Sequence, residues 1–455
     1  MKTSLLAFAT LGLVAAACFP SVSAAQIGQR FPSEKKVVID PVTGTPLTFL
    51  TSTPAGDSKI YQTHHQWTAD GQWLVFRSNR VKGEAMAVNE ETGDIVQVTE
   101  GGYTGMLCLA DHSMNLYFLR VPKSGAGDVS GSPAYADVKD QKEPAQIVRA
   151  DLAAVFADSA AGTMKSPDSY QHVCGTVPLA MGAVGDVALD PNEDFAYFRV
   201  GSKEVAGQYL APGTKVEENY GPRNMGAGPT GLASMNLKTG EVKFIVAVPF
   251  QIGHVQTNPW VPGEIVFCWE TGGKSPQRTW TVRADGTGLR PLYTEASHDW
   301  VTHEAVITRD EVALAILGHR PIGNADEWGS CGSRDRPTGL GVINLRTGEM
   351  RIEGQTREGS GFWHVNGSGD GRWLAGDDFS RSLYLIDRHT GEMLLLTTGH
   401  KTTAADHPHP TFNAAGTKIQ IQSAMLSEDN RSMNICIVPV PESWLKRTYS
   451  EKAPQ

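Results

Sequence analysis

Seven of the chain's 13 histidines recur at one kind of place. His64 and His65, His254, His303, His364, and His407 with His409 each stand shortly before a turn that opens a strand-like run. Imidazole is the side chain that binds divalent transition metals and exchanges protons near neutral pH. The sharpest local signal is His407-Pro408-His409-Pro410. In extended backbone, residues i and i+2 point the same way, and a proline biases the residue before it toward extended backbone. Two imidazoles on one side at short range suit a divalent metal. Thr302-His303-Glu304 offers a third imidazole, with a carboxylate beside it to orient a ring. A lone histidine of this kind is ordinarily structural. The same placement in five units points to a shared site.

Other chemistries lack their residues. There is no G-x-S-x-G for a serine hydrolase. The glycine-rich stretch Gly226–Gly231 has neither the Lys-Ser/Thr ending nor the helix of a phosphate loop. Asp377-Asp378 and Glu90-Glu91 read as solvated turn charges. Trp67, Trp73, Trp363 and Trp373 read as packing, while Trp260 and Trp300 read as either packing or platforms for a sugar ring.

The elements that must position these histidines are strands. Helical periodicity is scarce, and short apolar runs bounded by Gly, Asp, Asn and Pro recur instead. Asp70-Gly71-Gln72-Trp73-Leu74 returns as Asp370-Gly371-Arg372-Trp373-Leu374, with looser copies from Met114, Glu193, Gly263, Asp310 and Gly416. A second turn follows in several units, at Thr92-Gly93-Asp94, Thr239-Gly240-Glu241, Thr347-Gly348-Glu349 and Thr390-Gly391-Glu392, with Asp285-Gly286 as a variant. Its glycine supplies the positive φ of a tight hairpin. Self-similarity at roughly 40–60 residues is the signature of propeller blades. The seven starts predict an all-β, seven-bladed β-propeller as one domain over residues 25–455, with a pair of β-sandwiches as the competing architecture. Lys123–Glu143 and Lys203–Gly228 read as long loops. The histidines then fall where an outer strand leads into the innermost strand of the next blade, and these places converge at one mouth of the central channel.

Composition bounds the partners. With 40 Lys and Arg against 49 Asp and Glu, the 455-residue chain carries a net charge of −9, which argues against nucleic acid. Lys2, the apolar run Leu5–Ala17 and the small residues Val22-Ser23-Ala24 read as a signal peptide over residues 1–24, hence export, with the periplasm as destination. Cys18, after Ala15-Ala16-Ala17, is a candidate lipoprotein cysteine. No later apolar run approaches the roughly 20 residues of a membrane span. The remaining five cysteines are odd in number and irregular in spacing, with no C-x-x-C pair. That is neither a disulfide framework nor a cysteine zinc site, and Cys268 and Cys436 read as buried packing residues.

From about Tyr61 to Leu445 the sequence resembles the oligogalacturonate lyases, a family of seven-bladed propeller polysaccharide lyases. The resemblance is carried by Ile252-Gly253-His254, Gln277-Arg278-Thr279-Trp280, Thr302-His303-Glu304, His364-Val365-Asn366 through Gly376-Asp377-Asp378, His407-Pro408-His409-Pro410 and Pro441-Glu442-Ser443-Trp444. It implies β-elimination of short galacturonate oligomers with a manganese-type divalent ion. By motif, it implies His254 as the base, His303, His407 and His409 as metal ligands, and Arg278 as a cation for a uronate carboxylate. Two positions depart from the family pattern. Ala404 stands where a glutamine ligand is expected, and Pro229 where a substrate-neutralising arginine is expected. Asp406, His364 and His65 are the candidates to complete the metal shell, with His65 and His364 also facing substrate, and Arg223 is the candidate to supply the cation. The alternative of a different class is a non-catalytic, TolB-like periplasmic propeller that binds a protein or sugar partner.

Overall fold

Each of the seven predicted starts opens the second strand of a small antiparallel sheet, and the sheets form a seven-bladed β-propeller. The computed structural model describes residues 26–122, 141–219, 225–271, 275–296, 299–317, 339–356 and 361–449. The predicted signal peptide, Cys18, Arg223 and most of Lys123–Glu143 lie outside them.

The innermost strand of blade 1 is Ser58–Lys59, and those of blades 2 to 7 are Thr104–Leu109, Ala183–Leu189, Ile252–Thr257, Val301–Thr308, Phe362–Gly367 and Thr411–Phe412. The ring closes through the sequence's two ends. Blade 7 takes Lys418–Ser423 and Asn434–Pro439 from the C-terminal part, then Pro46–Phe49 and Lys36–Ile39 from the N-terminal part. Asp40, at the end of Lys36–Ile39, ties blade 7 to the outermost strand of blade 6: its carboxylate accepts from the Val42, Thr43 and Thr398 amides and from the Thr397 hydroxyl.

Strands such as Glu264–Trp269 are buried along their whole length, because neighbouring blades cover both faces. Alternate residues meet across each interface. Ile419, Ile421 and Cys436 of blade 7 pack on Trp373, Ala375 and Leu385 of blade 6. Every glycine of the second turn type has positive φ, from Gly93 at 77° to Gly391 at 71°. One helix was not anticipated. Leu152–Ala161 is capped by Asp151, whose side chain accepts from the Ala154 amide, and by Gly162 at φ 67°. It buries Leu152, Val155 and Phe156, an i, i+3, i+4 stripe, and Phe156 stacks 4.0 Å from Trp73. The predicted loop Lys203–Gly228 also departs, since Lys203–Gly207 is a helical turn and Ala227 begins a strand.

The histidines sit within or beside the innermost strands rather than in the loops that precede them. Most of these strands carry a bulge, where pairing with the second strand slips between Thr104 and Leu107, Ala183 and Val187, Gly253 and Gln256, and Thr302 and Ala305. Within each bulge one residue is left-handed: Gly105 at φ 74°, Gly185 at 82°, His254 at 50° and His303 at 55°. His409, at 52°, takes the same conformation just before the innermost strand of blade 7. Histidine is one of the few side-chain-bearing residues enriched there. Glycine is required at Gly105, where a Cβ would fall 1.7 Å from the Gly185 carbonyl oxygen. A bulge re-aims a side chain out of the pleat, and here two bulges carry imidazoles, those of His254 and His303.

Candidate metal and catalytic site

After Lys59, blade 1 leaves its innermost position and crosses the channel axis. The Tyr61 ring lies 4.8 Å from that of His254, 6.3 Å from His364 and 5.2 Å from His409, reaching blades 4, 6 and 7. Gln62 donates to the carbonyls of His303 and Val365, and its own carbonyl accepts from Asn366. His64 Nε2 lies 2.9 Å from the Val187 carbonyl of blade 3. One segment therefore touches the innermost strands of five other blades and floors the site.

Above this floor the imidazoles crowd. The His364 ring lies 3.5 Å from His409, 4.1 Å from His303 and 5.2 Å from His407. Each of the three predicted ligands has its Nδ1 against an oxygen acceptor. His303 Nδ1 is 2.5 Å from the Trp363 carbonyl, His407 Nδ1 is 2.6 Å from Asp377 Oδ2, and His409 Nδ1 is 3.1 Å from Gln62 Oε1. An Nδ1–H donated to such an acceptor leaves Nε2 as the lone-pair nitrogen, which is how outer partners orient metal-binding histidines.

Asp377 corrects the reading of a solvated turn charge, since it is wholly buried between His364 and His407. Burial pushes its carboxyl up to about 7 against the pull of the histidines. Burial and neighbouring cationic groups hold His303 and His364 well below the ordinary imidazole value. This favours the neutral form of both rings, the form a metal requires. His409 Nε2 and His364 Nδ1 are buried without a hydrogen bond of good geometry, although Asp406 lies 3.0 Å from the first and Asp377 3.2 Å from the second. Donor atoms of His364, Asp377 and His407 lie within 4.8 Å of one another. Orphaned imidazole nitrogens beside carboxylate oxygens fit a divalent metal ion. Ala404, buried against Ala424 and Met433, offers no donor, whereas Asp406 does.

Beside this cluster, His254 sits on a buried ionic group. Its Nδ1 is 3.2 Å from Glu304 Oε1 and 3.2 Å from Arg278 Nη2, and its Nε2 is 3.4 Å from Glu270 Oε2. Arg278, 1 % exposed, donates from Nε to Glu304 Oε2 at 3.0 Å and approaches Glu270 at 3.5 Å. Burial draws the His254 pKa down, but Glu304 and then Glu270 outweigh it and raise it above the ordinary value. Burial likewise works against Glu304, yet Arg278 and His254 hold its carboxyl at about 2.

The structure thus brings together His254, His303, His364, His407 and His409, with Arg278 directly behind His254. It separates His65, which pairs with Asp111 at 2.8 Å and is half exposed. His65 and His64 line a shallow open pocket with Asp111, Asp190 and Thr257, at the far ends of the innermost strands. Trp363, read as packing, stands among the site rings, 4.5 Å from His303 and 5.9 Å from His407. Trp260 lies away from the site, against Gly369. Sequence reasoning passed over Tyr61, Gln62 and Glu270 as site residues. A polar Tyr-Gln-Thr-His-His-Gln run in place of an apolar innermost strand was the available signal for the first two. Cys108, Cys174, Cys268 and Cys436 are all free thiols. Among the described residues, no helix is long and apolar enough to cross a membrane.

No family model matches the sequence, and no curated protein matches it. Solved structures share the fold. An oligogalacturonate lyase in complex with manganese superposes with a TM-score of 0.68 at 18 % identity, covering 93 % of this chain and 100 % of that one. An oligogalacturonate lyase from Vibrio parahaemolyticus gives 0.66 at 17 % identity, over 92 % and 100 %. The WD40 repeats of RRP9 give 0.50 at 9 % identity, over 89 % and 100 %.

Proposed function

We propose that this propeller is a metal-dependent lyase that cleaves oligogalacturonate, or a related uronate oligosaccharide, by β-elimination, and that it works after export to the periplasm. The observation that carries the reading is the set of three imidazoles, each with Nδ1 against an oxygen acceptor, beside a fourth backed by a buried carboxylate. A scaffold that only docks a partner has no need of it.

His303, His407 and His409 would hold the ion through Nε2, with Asp406 or His364 completing the set in place of the absent glutamine. When bound, a divalent ion such as manganese draws charge from the uronate carboxylate and so acidifies the C5 proton. The chain's own groups do the proton transfer. His254, with Nδ1–H donated to Glu304, takes the C5 proton on Nε2. The C5–H electron pair becomes the C4–C5 double bond, the C4–O bond breaks, and the departing oxygen takes a proton from water. Glu304 and Glu270 stabilise the imidazolium that forms. Arg278, buried behind His254 and engaged with both carboxylates, acts through that histidine by fixing Glu304.

The test is incubation of the mature chain with oligogalacturonate and manganese, following ultraviolet absorbance of the unsaturated product. Absorbance should rise in the wild type and stay flat with His254→Ala or a chelator. A wild type that binds manganese yet forms no product from any uronate oligomer would refute the assignment.

A further inference from the structure

The sequence places proline at 229, where the resemblance calls for a substrate-neutralising arginine, and Arg278 is committed to Glu304 and Glu270. Every sugar of a uronate oligomer carries a carboxylate, so the bound ion leaves others for a side-chain cation to meet. The turn joining the second and third strands of blade 6, Trp373–Asp378 and Leu383–Asp387, carries one.

This turn is tightly pinned. Asp378 exchanges backbone hydrogen bonds with Ser382 and Arg381, and its carboxylate accepts from the Ser382 amide. Arg381 is held at φ 65°, a conformation costly for an arginine backbone. Its side chain is partly buried, and both Nε and Nη1 are buried without a hydrogen-bond partner. Among the described arginines it alone has two such orphaned nitrogens. Asp377 and Asp406, the carboxylates of the histidine cluster, are the charges acting on it, yet it forms no ion pair with either within the described residues. At the tip of the same turn Phe379 is 41 % exposed, its ring 6.1 Å from His407 and 5.1 Å from Trp363.

Buried guanidinium nitrogens without partners are costly and call for an explanation, and a ligand that completes the partly exposed group is one. Its planar fork matches a carboxylate, and aromatic rings beside it suit the C–H face of a pyranose. We propose that Arg381 receives a uronate carboxylate of the substrate, with Phe379 and Trp363 forming the wall against which that sugar ring lies. The assignment rests on the lyase reading and moves the substrate cation from blade 3 to blade 6. It also places a uronate next to the His407 side of the metal site.

The experiment compares wild type with Arg381→Ala, Arg381→Gln and Arg381→Lys. Calorimetry gives affinity for manganese alone and for saturated trigalacturonate, free or fully methyl-esterified, and the absorbance assay gives kcat and KM. Arg381→Ala and Arg381→Gln should bind the free acid about 10- to 100-fold more weakly, with manganese affinity unchanged. Arg381→Lys should fall between, because it keeps the charge and loses the fork. The methyl ester should bind wild type and variants alike. Melting temperatures should hold or rise, since an unsatisfied buried group is removed. An active wild type with variants that bind the free acid equally well would overturn the role of Arg381 and leave the lyase reading standing. A parallel loss of manganese affinity would make Arg381 a counter-charge to Asp377 and Asp406 and would also overturn it. A wild type that neither binds nor cleaves the acid would remove both.

Discussion

Glu304→Gln removes one charge from the site and almost no volume. Glu304 is completely buried, with Oε2 3.0 Å from Arg278 Nε and Oε1 3.2 Å from His254 Nδ1. Burial alone would raise its pKa. Arg278 and then His254 outweigh burial and hold it at about 2, against 4.5 for an unperturbed glutamate. That difference corresponds to about 3 kcal/mol of folding stability. The variant also leaves Arg278 with only Glu270, 3.5 Å away, so the total loss at pH 7 should be about 3–5 kcal/mol. A carboxylate with a depressed pKa contributes fully above its unfolded value and loses that contribution as pH falls through its folded one. Urea unfolding should therefore show the full gap between wild type and variant at pH 7, a narrowing gap below about pH 4.5 and little gap near pH 2. The same substitution should slow turnover and shift the acid limb of kcat/KM to lower pH, because His254 loses the first of the two carboxylates that raise it. A stability gap of equal size at pH 3 and pH 7, with an unmoved acid limb, would refute the electrostatic account of both residues.

Three further perturbations probe the floor, the ring and the tie between blades 6 and 7. Gln62→Leu removes the acceptor of His409 Nδ1 and should weaken manganese binding roughly 10- to 100-fold by calorimetry, with Gln62→Glu losing less. Gly105→Ala combines a left-handed backbone with a Cβ 1.7 Å from the Gly185 oxygen, and should cost more than about 3 kcal/mol in denaturant unfolding. Asp40→Asn should cost about 2 kcal/mol, because backbone and hydroxyl donors overcome burial and hold this carboxyl at about 2 against 3.8. Its gap to wild type should be present above about pH 4 and vanish as pH falls toward 2.

The blade count was legible because each turn repeats a local chemical requirement, Asp-Gly or Thr-Gly with positive φ, that no tertiary contact needs to supply. The histidines were legible for the same reason, as one residue type at one recurring offset. Asp377 was misread because Gly376-Asp377-Asp378 looks like a turn, and only the ring brings His364 and His407 to its two oxygens. Tyr61 and Gln62 were missed because their role depends on a departure from the blade pattern, and a repeat-based reading has no template for a segment that leaves its own sheet. The helix Leu152–Ala161 had its cap and its i, i+3, i+4 stripe in view, but ten residues inside an all-β pattern did not stand out.

The left-handed position on the innermost strands has a wider meaning. Blades 2 and 3 hold it with Gly105 and Gly185, blades 4 and 5 with His254 and His303, and His409 takes the same conformation just before the strand of blade 7. It behaves as a socket machined once and copied around a wheel, blank in some spokes and tooled in others. The interfaces that hold the spokes together lie farther out, in alternating apolar residues that never enter the socket. In the spokes that carry histidine, chemistry can therefore be erased by exchanging a single residue while the wheel keeps its shape, whereas at Gly105 the Gly185 carbonyl already fills the space a side chain would need.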